Sequence, residues 1–287
     1  MKEVLSKVLT TISTTKDILN KRNIESEEKT GIGNIVTRTD KDLEAFIKTK
    51  LHSDFPDAQI ISEESAEETK ISHSDGLKFI VDPLDGTTNF TNGWPHSIAI
   101  GIINDNELTG GVIYDVLDKK VYCGIKGGGV YCCDIDNILD LKPVIPPKHE
   151  TDQIAKAVIS FDTPYSLEAY ARTKEIHDKL YKAGASLKTI GPISLDVLKT
   201  ALGKENRPND YNNAVWHEEV RAWDLAAATA ILRELGGEII GRDGKPLSTE
   251  TLSSPTAKIS FIASGNPRMI ENIYNIRKNL EKDIESR

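Results

Sequence analysis

Residues 77–90, Leu77-Lys-Phe-Ile-Val-Asp-Pro-Leu-Asp-Gly-Thr-Thr-Asn-Phe90, decide how the rest of the chain is read. The apolar run from Leu77 to Val81 reads as a buried strand. It ends in two carboxylates three residues apart, Asp82 and Asp85, followed by Gly86, Thr87 and Thr88. A strand that stops in such a turn and opens a helix aims both carboxylates at one point. It also leaves backbone N–H groups beside them. Carboxylates bind a hard cation such as Mg2+, and helix-start N–H groups bind an anion such as phosphate. Together they predict metal-assisted phosphoester hydrolysis.

Upstream, Val4, Leu5, Val8, Leu9, Ile12 and Ile18 fall at helical spacing, which predicts one amphipathic helix over residues 2–20. Residues 25–34 are polar with two glycines and read as a mobile loop. Thr39 or Asp40 caps a second helix bearing Leu43, Phe46, Ile47 and Leu51. Residues 58–62 form a short strand that runs into Glu63 and Glu64, and a polar loop over 66–76 follows. Downstream, residues 97–133 break into short β segments separated by turn signals, an antiparallel meander. The triplet Gly127-Gly128-Gly129 reads as a hairpin turn, since it lacks the Lys-Ser/Thr ending of a phosphate loop.

Residues 140–152 contain Pro143, Pro146 and Pro147 and read as a connector. The expected division is an N-terminal α+β subdomain over 1–145, carrying the metal-binding motif, and a C-terminal α/β subdomain over 146–287 that completes the site. In the second half, strands over 155–161 and 187–190 alternate with helices over 166–183 and 193–202. Residues 203–215 read as a polar loop, 223–236 as a strong helix ending at Gly236 and Gly237, 259–263 as a strand and 267–280 as a final helix. The mixture is α+β, with helices and sheets in layers.

Composition bounds the partners. The chain has 287 residues, 38% of them apolar and 28% charged, enough for a sizeable core under a polar surface. A net charge of -8 argues against a broad nucleic-acid-binding face. It does not exclude an anionic substrate, because bound cations reverse a local field. The three cysteines, Cys123, Cys132 and Cys133, have no zinc spacing and read as reduced thiols. No signal-peptide pattern and no apolar run near ~20 residues occurs. A cytoplasmic protein without a membrane partner is expected.

Four acidic positions stand out: Glu64 after one strand, Asp82 and Asp85 after the next, and Asp224 at the start of an alanine-rich helix. Taken singly, Glu64 is a surface glutamate and Asp224 a helix-dipole partner. Taken together, the chain resembles the inositol monophosphatase family of Mg2+-dependent, lithium-sensitive phosphatases over nearly its whole length. The resemblance rests on Glu63-Glu64-Ser65, on Asp82-Pro-Leu-Asp-Gly-Thr-Thr-Asn-Phe90 and on Trp223-Asp224-Leu-Ala-Ala-Ala-Thr229. Weaker support comes from Asn34-Ile-Val-Thr-Arg-Thr-Asp40, from Lys126 to Gly129, and from Gly236-Gly-Glu238.

The resemblance implies a layered α/β/α/β/α sandwich of the sugar phosphatase type and two to three Mg2+ ions per subunit. Glu64, Asp82 and the Leu84 carbonyl would hold the first ion, and Asp82, Asp85 and Asp224 the second. A third would lean on Glu64 through water. Gly86, Thr87 and Thr88 would receive the phosphate, while Asp40 and Thr87 orient the attacking water, with Glu64 also in the catalytic set. The physical logic is independent of the resemblance: a phosphomonoester dianion repels hydroxide, and two cations clamp both attacking and leaving oxygens. A homodimer and inhibition by lithium are further implications. The loop 29–36, with Gly31 and Gly33, reads either as a closing flap or as plain surface.

The substrate is less determined. The acidic sugar-recognition residue usual seven positions before the helix-opening aspartate is His217 here, with Glu218 and Glu219 in a shifted register. Arg221 is a candidate for a second phosphate or a sugar hydroxyl. Inositol monophosphate is the leading substrate. Fructose 1,6-bisphosphate, NADP(H) and 3′-phosphoadenosine 5′-phosphate are the alternatives within the superfamily. A non-catalytic binding homologue is the alternative outside enzymes. A Ca2+ loop is a poor reading, since the oxygen ligands at alternate positions are missing and Gly93 stands at the twelfth position from Asp82.

Overall fold

A computed structural model describes residues 1–29, 34–68, 76–149, 151–161, 164 and 166–285. The predicted first helix is two: α1 (Lys2–Ser13) and α2 (Lys16–Lys21). The threonines between them divert the backbone. The Thr15 hydroxyl donates to the Ile12 carbonyl at 2.7 Å and that of Thr14 to the Thr11 carbonyl at 2.8 Å. Such local bonds compete with the helical ladder. The expected loop over 25–34 is partly ordered, because β1 (Ser26–Glu28) pairs antiparallel with β2 (Ile35–Thr37). Gly31 and Gly33 lie outside the described residues.

Helix α3 (Arg38–Asp54) starts at Thr37 with a capping box: Thr37 receives the Asp40 N–H, and Asp40 receives the Thr37 N–H. A seven-stranded sheet follows: β3 (Gln59–Ser62), β4 (Leu77–Asp85), β5 (Ser97–Asn104), β6 (Glu107–Asp115), β7 (Lys120–Ile125), β8 (Gly129–Asp134) and β9 (Lys142–Pro143), in that spatial order. Only β3 and β4 run parallel; β5 to β8 are the expected antiparallel meander. Helix α4 (Thr87–Asn92) links β4 to β5.

The second half contributes β10 (Val158–Phe161), α5 (Leu167–Lys182), β11 (Ser186–Lys188), α6 (Ile193–Asn206), β12 (Ala214–Val220), α7 (Ala222–Glu234), β13 (Glu238–Gly241), α8 (Thr249–Leu252), β14 (Ile259–Ser264) and α9 (Pro267–Glu285). Its five strands order as β11-β10-β12-β14-β13. Strands β12 and β13 are absent from the sequence expectation. Strand β12 evades the periodicity signal because its His217 and Glu218 are charged or polar yet buried.

Five layers result: α1–α3, the seven-stranded sheet, α6 with α7, the five-stranded sheet, and α5 with α9. Alternation along β4 shows why. Phe79 and Val81 join the apolar cluster with Leu43, Ile47 and Leu51 of α3, whereas Ile80 joins the cluster of α6 and α7. That central cluster also takes Val215, Phe261 and Ala263 from the second sheet, so the two halves share one core.

Helix α7 lies unusually close to the first sheet. Gly101 and Gly111 are cross-strand partners beneath it. A Cβ on Gly111 would stand 2.3 Å from the Ala227 carbonyl oxygen, and one on Gly101 would stand 2.6 Å from Ala226 Cβ. The paired glycines and the alanine-rich face permit this approach. It brings the N-terminus of α7, with Asp224, to the carboxylate-bearing end of β4. Among the described residues no helix is long and apolar enough to cross a membrane.

Candidate metal and phosphate site

Asp82 and Asp85 sit at the end of β4, where the β4–β5 register shifts between them. Pro83 cannot donate to the ladder, and such an irregularity re-aims side chains that would otherwise alternate. Asp82 is 1% exposed, and its Oδ1 accepts the Leu84 N–H at 3.0 Å. Burial, and then the charges of Glu63, Asp85 and Asp224, push its carboxyl well above the usual range. Mutual repulsion of this kind requires that the four carboxylates share one region.

Asp85 is anchored from far along the chain. Its Oδ2 accepts the Ser194 N–H at 2.8 Å and its Oδ1 the Ile193 N–H at 3.2 Å, so it caps α6 from outside. The Ser97 hydroxyl reaches both Asp85 and the Ser194 hydroxyl. Burial raises Asp85 to about 7, against the pull of the Ser194 and Ile193 donors. Asp224 occupies the first turn of α7, and its Oδ2 accepts the Arg221 N–H at 2.7 Å.

Glu64 lies in a 3-10 turn (Glu63–Glu68) directly after β3. Burial, then neighbouring Glu63, raises it to about 7, while Lys29 pulls it back. The Lys29 ammonium stands 2.6 Å from Glu64 Oε1 and 2.8 Å from Glu63 Oε1. Burial alone would lower Lys29, but the two glutamates outweigh it and hold the ammonium above the ordinary lysine range. Sequence reasoning assigned no role to Lys29, and Glu63 entered only within the motif around Glu64. The doubled Glu63-Glu64 was the available signal; nothing local marks Lys29.

Asp40 is fully buried, fixed at Oδ2 by the Thr37 N–H (2.8 Å) and by the Thr37 hydroxyl. Its Oδ1 accepts the Thr87 hydroxyl at 2.7 Å. Thr87 and Thr88 open α4, whose first N–H groups have no intrahelical partner. Gly86 precedes them with φ 87°, and a Cβ there would meet Pro192 Cγ at 2.8 Å.

His217, Glu218 and Arg221 diverge. His217 is 1% exposed, stacked 5.5 Å from the Phe261 ring, with Nε2 3.5 Å from Asp196 Oδ2. Glu218 accepts the Ser260 hydroxyl at 2.7 Å and lies 3.5 Å from Arg172 Nε. The Arg221 guanidinium donates to the Thr256 carbonyl at 2.7 Å.

The donor set suits a hard divalent cation: buried carboxylates plus a backbone carbonyl, with no sulfur or imidazole. Burial, with neighbouring carboxylates adding to it, raises the proton affinities of Glu64, Asp82 and Asp85, a penalty that a bound cation relieves. Among the described residues no three such side chains stand as a formed cation cage. Each carboxylate is engaged locally instead, by Lys29, Leu84, Ser194 or Arg221.

Comparison with known proteins follows the same lines. The model of the inositol monophosphatase family matches residues 2–281. Inositol monophosphatase 2 of Rattus norvegicus is 31% identical over 230 residues, covering 76% of this chain and 72% of the relative. A protein named Nus factor SuhB from Haemophilus influenzae is 32% identical over 261 residues, covering 88% and 85%. Among solved structures, an IMPase of Thermotoga maritima superposes with a TM-score of 0.78 at 20% identity, covering 99% of this chain and all of that one (100%).

Proposed function

The chain belongs to the inositol monophosphatase family, and from that premise we propose that it hydrolyses a small phosphomonoester with the help of divalent cations, inositol monophosphate being the first candidate substrate. The observation that carries the proposal is the convergence of Asp82, Asp85, Asp224, Glu63 and Glu64, where burial and then neighbouring negative charge raise the proton affinities of Asp82, Asp85 and Glu64.

Glu64, Asp82, Asp85, Asp224 and the Leu84 carbonyl would hold two to three Mg2+ ions. When bound, Mg2+ supplies charge neutralisation and a water acidified towards neutral pH. The remaining work falls to the chain. The Thr87 hydroxyl donates a hydrogen bond to Asp40, so its oxygen takes a proton from the attacking water as it passes its own to the Asp40 carboxylate. Asp40 cannot swing away, because Thr37 holds its other oxygen. Both groups therefore aim a water lone pair at phosphorus, in line with the leaving oxygen. Gly86, Thr87 and Thr88 N–H groups receive the non-bridging oxygens. His217, Glu218 and Arg221 are the proposed contributors to substrate choice. Family resemblance extends the proposal to a homodimer inhibited by Li+.

The test is phosphate release by purified protein with and without Mg2+. The panel is inositol 1-phosphate, fructose 1,6-bisphosphate, NADP+ and 3′-phosphoadenosine 5′-phosphate. Mg2+-dependent turnover with one preferred substrate supports the proposal; no release from any of them by folded protein rejects it. A second reading, a regulatory binding role, is favoured by the 32% identity to the protein named Nus factor SuhB. It gains ground only if the panel is negative.

A further inference from the structure

Three stretches of chain meet at Asp85: the end of β4 that carries it, the start of β5 and the start of α6. Ser97 of β5 is its cross-strand partner and sets a hydroxyl 3.4 Å from Oδ2. Ile193 and Ser194 of α6 donate their N–H groups to its two oxygens. The Ser97 and Ser194 hydroxyls stand 2.8 Å apart and close the ring around the carboxylate. A carboxylate that also takes a cation keeps its aim only if the groups around it are themselves held.

Asn89 holds them. It lies in α4, four residues beyond Asp85, and is 8% exposed. Its Nδ2 donates to the Pro95 carbonyl and to the Ile190 carbonyl, each at 2.8 Å. Pro95 stands two residues before Ser97, and Ile190 stands three residues before Ile193. One amide therefore bridges the approach to both groups that grip Asp85. The Asn89 carbonyl adds a third tie by accepting the Trp94 N–H at 2.8 Å.

The surroundings are shaped for this side chain. Two carbonyl acceptors call for two N–H donors on one short side chain, which asparagine supplies. Aspartate would set oxygen against both carbonyls, and alanine would offer no donor. Gly191 has φ 114°, and a Cβ on it would stand 2.9 Å from Asn89 Nδ2. Pro192, the N-cap of α6, packs in turn on Gly86 at the head of α4. Helix α4 is thus seated on the 190–192 segment at Gly86 and at Asn89.

Resting on the phosphatase reading, we propose that Asn89 is a positioning residue of the site: through Pro95 and Ile190 it fixes Ser97, Ile193 and Ser194 around Asp85 and seats the Gly86–Thr87 start of α4 on the same frame. It acts through these groups rather than by contact with cation or substrate.

The test compares wild type, Asn89→Ala and Leu180→Ala. Leu180 is buried in the separate cluster of α5, α9 and the second sheet, so its truncation lowers stability away from the site. Three quantities are read: amide hydrogen exchange in EDTA, Mg2+ affinity by calorimetry on stripped protein, and steady-state phosphate release. In Asn89→Ala, exchange at Ile193 and Ser194 should speed up relative to β6, and Mg2+ affinity and kcat should each fall about tenfold. Leu180→Ala should lower the melting temperature and leave that exchange ratio, the Mg2+ affinity and kcat near wild type. Should Asn89→Ala not fold, Asn89→Ser, with a single hydroxyl donor, is read in the same way. Wild-type Mg2+ affinity and kcat in an Asn89 variant of lowered melting temperature would reduce the residue to a structural contact and overturn the proposal. Unchanged exchange at Ile193 and Ser194 would overturn it too. Wild type that neither binds Mg2+ nor releases phosphate would sink the phosphatase reading, and the positioning role with it, even where exchange shows the Asn89 tie to α6 intact.

Discussion

The Asp85 carboxylate accepts the backbone N–H of Ser194 at 2.8 Å, across 109 residues of chain. One side chain thus serves both as a candidate cation ligand and as the N-terminal cap of α6. Capping favours the negative charge, and burial opposes it. Asp85→Asn keeps one of the two cap acceptors, turns its NH2 against the other backbone N–H, and removes the buried charge. We expect turnover to fall by several orders of magnitude while the melting temperature falls less than in Asp85→Ala. Asp85→Ala forfeits the cap as well and costs about 1–2 kcal/mol. Scanning calorimetry beside a phosphate-release assay checks both; near-normal turnover in Asp85→Asn would refute the ligand assignment.

Gly86 combines a positive φ with contact against Pro192. Gly86→Ala therefore faces backbone strain of roughly 1–2 kcal/mol and a collision at 2.8 Å. It should lower the melting temperature and abolish turnover by moving the start of α4. Adding Pro192→Ala relieves the collision but not the φ, so recovery of stability should be partial. Full recovery would mean that the conformation at Gly86 is unimportant.

Thr87 is positioned by Asp40 rather than by α4 alone. Thr87→Val preserves volume and removes the hydroxyl. Loss of one proton-handling group predicts a decrease in kcat of roughly 10²–10⁴-fold, with little change in KM. A rise in KM at constant kcat would assign Thr87 to ground-state binding instead.

Lys29 forms ion pairs with both Glu63 and Glu64. Cation binding at Glu64 must displace it. Ion pairs that keep some solvent contact are worth on the order of 1 kcal/mol, so Lys29→Met should bind Mg2+ a few-fold more tightly in calorimetry on EDTA-stripped protein. Weaker binding would show that Lys29 assists the ion rather than competing with it.

Burial raises Asp85 and Glu64 to about 7, above the ordinary carboxylate value near 4. Between those values the folded state binds more protons than the unfolded state, so stability falls as pH rises through this window. In EDTA the melting temperature should be higher at about pH 6 than at about pH 8, and Mg2+ should stabilise most at the higher pH. A melting temperature that climbs steadily from the lower to the higher pH in EDTA would contradict these raised values.

What the sequence determined was local. Apolar alternation in 77–81, the turn chemistry of 82–88, the meander over 97–133 and the alanine-rich helix from Trp223 are each written within a few neighbours, where period and steric rules act directly. The family resemblance carried the five-layer order. Tertiary structure decided the rest. Thr14 and Thr15 broke the first helix through side-chain bonds that periodicity does not register. Strand β12 formed from residues too polar to read as a strand, because His217 found Asp196 and Phe261 in the interior. The partnership of Asp85 with α6, the placement of Lys29 on Glu63 and Glu64, and the descent of α7 onto Gly101 and Gly111 all join segments distant in sequence. Their geometry follows from how whole layers pack, and packing is a property of surfaces that exist only once the chain has folded.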